Sequence, residues 1–155
     1  MGLLDFLKAP ELDHPRFGRM KYKSGYWTAE VDILGARDVA LRLGGTRNAI
    51  DPVAEEHWGE MERRYTELAD EIADVLYNES YTPIREAVDA GEYPGDPAEI
   101  PMLAAAEEVW DYATLVGVEV DGNLVELSYV SEWEVEHRLG VYLRDCQLDG
   151  FNGSV

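Results

Sequence analysis

Glu136 and His137 stand side by side in "SEWEVEHRLGVYLRD", residues 131–145, with Trp133 and Glu134 just ahead of them. An imidazole tuned by a nearby carboxylate is the pairing that makes a general base, and with Glu134 or Glu136 as a second donor it makes part of a metal site. The spacing argues against both. Adjacent side chains of an extended chain point to opposite sides, so Glu136 points away from His137. The stretch also leads directly into the alternating run Leu139, Val141, Leu143, which places residues 131–138 on a connection between two strands. His137 is therefore read as a residue that caps or hydrogen-bonds the turn, with general base and metal ligand as the competing roles. No catalytic or metal-ligating residue is assigned. Trp133, Glu134, Glu136 and His137 are assigned instead as binding residues, since recognition groups concentrate on connections.

The other groups with chemical potential lack the companions that chemistry requires. His57 in "EEHWGE" is followed by Trp58 and not by glutamate, so the zinc-protease pattern is absent, and the residue is read as solvated or half-packed on a helix. His14 precedes Pro15 in a loop, and three histidines this far apart have no recognisable ligand spacing. The glycines of "LGGTRN" are followed by no Walker lysine, and no serine sits in a G-x-S-x-G elbow. Cys146 is the single cysteine; it ends a strand, where a small buried hydrophobe is the ordinary role, and it excludes an intramolecular disulfide. No cofactor is expected.

Charge narrows the partners. Thirty-two acidic groups against 13 basic ones leave a formal charge of −19, which repels nucleic acid and anionic lipid and attracts basic surfaces. Two explanations compete: a basic protein partner, or adaptation to a salty cytoplasm in which carboxylates keep the surface hydrated. The opening "MGLLDFLKAPEL" has neither a basic n-region nor a cleavage site, so no secretion signal or membrane anchor is expected, and a cytoplasmic location follows. Position 6 is Phe where the myristoylation pattern wants Ser or Thr.

Length and composition call for one folded domain over residues 1–155, since 46% of the chain is apolar and four Trp and nine Tyr are present. Residues 1–20 are read as a peripheral N-terminal segment, with a helical turn over 3–8 that Pro10 ends. "YWTAEVDI" and "DVALRLG" alternate and predict an antiparallel hairpin over 26–43. Asp51 before Pro52 marks an N-cap, and Trp58, Met61, Tyr65, Leu68, Ile72 and Val75 then recur at spacings of three and four, a core-facing helical stripe. "NES" interrupts it, and Thr82-Pro83 opens a second short helix that Gly91 closes; a third helical stretch lies between Asp96 and Glu108. Val116, Val118 and Val120 lead into an Asp121-Gly122 turn, and Val125, Leu127 and Tyr129 lead out of it. The fold class expected is α+β, an antiparallel sheet of about five strands with a long amphipathic helix on one face, in the order β-β-α-α-α-β-β-β.

At "WEVEHRLGVYLRD", residues 133–145, the chain resembles a group of small uncharacterised bacterial domains. Their C-terminal third carries a Trp, an acidic residue, then Glu-His, and an apolar strand ending in a charged turn. The resemblance covers that third and the order of a long helix before late strands. It implies an α+β domain of a prokaryotic cytoplasm, with some relatives serving as immunity or accessory proteins and no catalytic residue to carry over. Val135 and Arg138 stand where that pattern places Pro or Gly. Charge and resemblance together predict an acidic binding module for a basic protein partner, of immunity or inhibitor type, anchored by exposed Tyr or Trp. The alternatives are a small enzyme with its site near Glu134, Glu136 and His137, and a housekeeping domain whose acidity is solvent adaptation. Oligomeric state is not written in these patterns.

Overall fold

The alternating runs pair as strands, and the tight turns between them place residues in left-handed backbone. In the computed structural model, which describes residues 8–155, β3 (Tyr26–Ile33) and β4 (Ala36–Thr46) form the hairpin around "LGAR", burying Trp27, Leu41 and Leu43. The helical turn read over residues 3–8 falls outside the described residues but for Lys8. Leu34 and Gly35 both have positive φ, 53° and 79°, the type I′ geometry that matches the strand twist. Ahead of this hairpin run β1 (Glu11–His14) and β2 (Gly18–Lys23), and β5 (Ala49–Ile50) pairs with the end of β4. A second meander follows far downstream: β6 (Ala113–Asp121), β7 (Leu124–Ser131), β8 (Leu139–Arg144) and β9 (Gln147–Asn152).

The two meanders join edge to edge. β4 and β6 are parallel neighbours, with Leu41 beside Val118 and Leu43 beside Val120, and the sheet order is β1-β2-β3-β4-β6-β7-β8-β9 with β5 off this path. The expected antiparallel sheet of about five strands, in the order β-β-α-α-α-β-β-β, is thereby corrected to a mixed sheet of nine strands among the described residues. Of the four additional strands, β2 does alternate, with Met20 buried and Tyr22 half-buried, but it falls across the boundary of the segment read as peripheral; the other three pattern poorly. β1 is four residues with Glu11 and Asp13 outward, β5 is two residues, and β9 is broken by Asp149-Gly150. Residues 11–20, read as part of a peripheral segment, supply the edge strand and the buried Phe17 and Met20. The parallel pairing has no local signature at all, because it depends on the whole crossover between residues 51 and 112. Two details of the late hairpin also differ from the alternation. A register shift between Leu115 and Gly117 turns both Leu115 and Val118 inward and leaves Val116 half-buried. The two-residue loop is Gly122-Asn123, with Gly122 at φ 58°, because Asp121 still pairs with Leu124.

The crossover is helical. Asp51 caps α1 (Pro52–Val75) by accepting the Val53 N–H at 3.0 Å, and Ala54, Trp58, Met61, Leu68 and Ile72 face the sheet along β4, β6 and β7. Burying each of the larger side chains stabilises the fold by about 1.5–3 kcal/mol. The helix does not break at "NES": it passes through a π-helical turn, Leu76–Tyr81, in which the Thr82 N–H bonds back five residues to Tyr77 O, and continues as α2 (Thr82–Asp89). That wider turn absorbs Pro83, which has no N–H to offer the carbonyl of residue 79 and would clash with it in a regular helix. Two short 3₁₀ segments, Pro97–Glu99 and Ala106–Asp111, complete the crossover. The β1–β2 tip is clamped onto α1: Arg16 pairs with Glu62, Phe17 meets Trp58 edge-on at 5.9 Å, and His14 Nε2 lies 3.0 Å from Glu55. Because His14 Nδ1 accepts the backbone N–H groups of Arg16 and Phe17, its proton is carried on Nε2.

Candidate functional site

The connection between β7 and β8 is held from inside by two serines. Ser131, at the end of β7, accepts the Glu134 N–H at 3.2 Å, which closes the first turn of the connection. Trp133 points inward, 2% exposed, and its indole N–H donates to Ser80 Oγ at 2.9 Å while its ring packs edge-on against Tyr81. Tyr81 in turn donates its hydroxyl proton to Pro101 O and accepts the Leu103 N–H. Ser80 and Ser131 are the only buried polar side chains among the described residues, and both secure this one segment. Ser80 and Tyr81 are delivered by the π-helical turn, a type of insertion common at functional sites.

Glu134, and not Glu136, is the carboxylate that meets His137. Its Oε1 accepts the backbone N–H groups of Glu136 (3.0 Å) and His137 (3.3 Å) and lies 3.5 Å from His137 Nδ1. The carboxylate therefore caps the turn, and His137, with about half its side chain exposed, rests against that cap. The structure thus brings Glu134 and His137 together and turns Trp133 into the interior. Glu136 sits at the exposed rim. His14 bonds Glu55, and His57 donates from Nδ1 to Val53 O at 2.9 Å with Nε2 3.6 Å from Asp145, so the three histidines occupy three separate settings. Among the described residues no three His, Cys, Asp or Glu side chains are grouped to hold a metal ion. Cys146 is buried, and desolvation pushes its thiol pKa up, away from the reactive thiolate.

Val135 stands 84% exposed on the crest of the segment, between two clefts. One, of about 470 Å³, is walled by Val130, Val135 and Val155 with Ser131, Glu134, Glu136, His137 and Arg138 at its margin. The other, of about 370 Å³, places Ile84, Tyr93 and Pro94 opposite the same two glutamates. Five large hydrophobic side chains are exposed among the described residues, and three of them, Val130, Val135 and Val155, line the first cleft. Val155 reaches it because its N–H bonds Arg138 O at 3.0 Å and its side chain lies over Gly140, where an added Cβ would come within 3.0 Å of it. This gathering of apolar groups was hidden in the sequence, since the three valines belong to β7, to the loop after it and to the stretch that follows β9.

The electrostatic setting is one-sided. Between Arg64 and Arg138 the sole basic residue is Arg85, against nineteen carboxylates, and Arg85 is taken up by Asp89. In the first half of α1 three of the four glutamates up to Glu62 are paired, Glu60 with Arg63 on the helix, and Glu55 and Glu62 with His14 and Arg16 of the β1–β2 tip. Asp70, Glu71, Asp74 and Glu79 have no ion-pair partner among the described residues, and they lie in the interior of the continuous helical run from Pro52 to Asp89. A running sum of charge along the sequence would have revealed this block; the total of −19 conceals it.

Set against protein-family models, curated proteins and solved structures, the chain matches none. No helix among the described residues is long and apolar enough to cross a membrane.

Proposed function

We propose that this chain is an acidic binding module for a basic protein partner, acting as an immunity or inhibitor protein does, and that the β7–β8 segment is its contact surface. The observation that carries the reading is the convergence of Val130, Val135 and Val155 on one cleft rimmed by polar groups, in which Glu134 and Glu136 outnumber the single cation Arg138. An apolar centre with a charged rim is the anatomy of a protein-binding surface, in which the centre supplies affinity and the rim supplies steering and register. Tyr93 in the neighbouring cleft is the aromatic anchor of the proposal, in place of Trp133, whose part is to hold the segment in shape. A conformation fixed before binding spares the complex the cost of ordering a loop.

The immobilised protein should capture a basic protein from the native lysate at low salt and release it as salt rises. Val135→Ser should weaken capture about tenfold or more, within the range of one anchor residue. Undiminished capture by Val135→Ser, or capture that is insensitive to salt, would refute the proposal.

A further inference from the structure

On the sheet face turned away from α1, we infer a second site, an anion pocket for a phosphate monoester, formed by Lys23, Ser24 and Arg42. A cleft of about 290 Å³ is lined there by Lys23, Ser24, Thr28 and Arg42. Each of the other four clefts described in this chain has carboxylates in its wall; this one has two cations and two hydroxyls and no carboxylate. In a protein of net charge −19 that composition is the reverse of the surface average.

One of the donors is arranged in advance. Arg42 is held by Glu119 through Nη1 at 2.8 Å and lies over the Tyr26 ring at 4.3 Å, so its planar guanidinium is fixed and presents its remaining N–H groups without further loss of rotamer freedom. Lys23 enters no ion pair among the described residues, and its ammonium is available. Ser24 occupies the first centre of the two-residue turn between Lys23 and Tyr26 with φ 53°, beside Gly25 at φ 91°. Asn or Gly is the residue this type I′ position prefers, so a serine there is held against backbone preference, and what it adds over glycine is a hydroxyl at the mouth of the cleft. Thr28 has committed its proton to Lys21 O at 3.0 Å and serves as wall, not as donor. Ammonium, guanidinium and hydroxyl thus give three donor groups to three phosphoryl oxygens. At about 30 Å³ per water the cleft holds roughly ten water volumes, enough for a phosphoryl group with a few attached carbons.

The test is an NMR titration of the whole chain with glycerol phosphate, with inorganic phosphate and with chloride, at constant ionic strength. Saturable shifts confined to the amides of residues 23–28 and 42, given by both phosphates and not by chloride, are expected. Lys23→Gln should weaken glycerol phosphate binding at least tenfold, while Lys21→Gln, outside the cleft wall, should change it less than twofold. Ser24→Gly separates function from structure: it should raise the melting temperature by relieving the left-handed serine and at the same time weaken glycerol phosphate binding. Shifts that fail to saturate, that chloride reproduces, or that survive Lys23→Gln unchanged would overturn the site.

Discussion

Removing the Ser80 hydroxyl should loosen the β7–β8 segment from a distance of more than fifty residues in sequence. In Ser80→Ala the Trp133 indole N–H loses its acceptor at 2.9 Å in a place where neither residue is reached by bulk water. A hydrogen bond contributes about 1 kcal/mol net, and stranding a buried donor costs about 1–3 kcal/mol. The Trp58 indole N–H is already without a partner among the described residues, so the variant would carry two such donors. Taking about 2 kcal/mol, and about 2–4 °C of melting temperature per kcal/mol for a domain of this size, the melting point should fall by about 4–8 °C. Amide exchange at Glu134–His137 should accelerate with it, because Trp133 is the inward anchor of that segment. A double-mutant cycle isolates the bond: Trp133→Phe should cost about 1–2 kcal/mol less in the Ser80→Ala background than in the native one, since the stranded donor is then removed as well. Additive costs, or a Ser80→Ala protein with native melting and native exchange at 134–137, would show that the π-helical turn does not hold the site.

Four other outcomes follow from the same geometry. Leu68→Asp should abolish the cooperative melt, because it places a carboxylate on the buried face of α1 where nothing compensates it; a folded, cooperatively melting variant would mean the helix face is misassigned. Glu134→Ala should cost about 1–2 kcal/mol by leaving two backbone N–H groups uncapped, whereas His137→Ala, which removes only an exposed ion pair, should cost under about 0.5 kcal/mol; equal losses in chemical denaturation would reject Glu134 as the cap. Burial raises the phenol pKa values of Tyr65, Tyr129 and Tyr142, and burial with the Glu119 carboxylate pushes Tyr26 up to about 12, so the folded chain retains protons that the unfolded chain releases above its phenol pKa of about 10. The stabilisation is present in full below that pH and declines as pH rises through about 10–12, and Tyr129→Phe should flatten the decline; melting that is constant to pH 12 contradicts it. Raising salt should weaken partner binding chiefly through slower association, over a screening length of about 8 Å at physiological strength, and a partner-free protein whose melting temperature climbs in molar salt would favour solvent adaptation over recognition.

What was legible in the sequence is what is written in a single period. The Asp51-Pro52 start and the three-and-four stripe from Trp58 to Ile72 define α1 because one helix face meets one sheet. β3, β4 and β7 alternate because only one side of each is covered. β1 and β9 were hidden because an edge strand is half solvated on both sides and carries charge and glycine against further pairing, which erases the alternation. "LVGVEV" supports either phase of a strand, so the shift at Val116 could not be read from it. The helix was expected to stop at "NES" because a proline follows it shortly after, whereas an i→i−5 turn lets the helix continue.

The site shows the same division between local and distant causes. That residues 131–138 form a connection is local, and so is the loss of a Glu136–His137 dyad in extended chain. The role of Glu134 depends on Ser131, and the burial of Trp133 depends on Ser80, a residue of the crossover. A buried hydroxyl is costly unless it is paired, so two buried serines that are both bonded to one surface segment mean that the fold itself dictates the conformation of that segment. Val135 is therefore exposed because its neighbours are tied down on either side, and not because the loop is loose. A basic partner meeting this crest would find its apolar contact already presented, and its association would be limited by electrostatic encounter and not by folding of the loop.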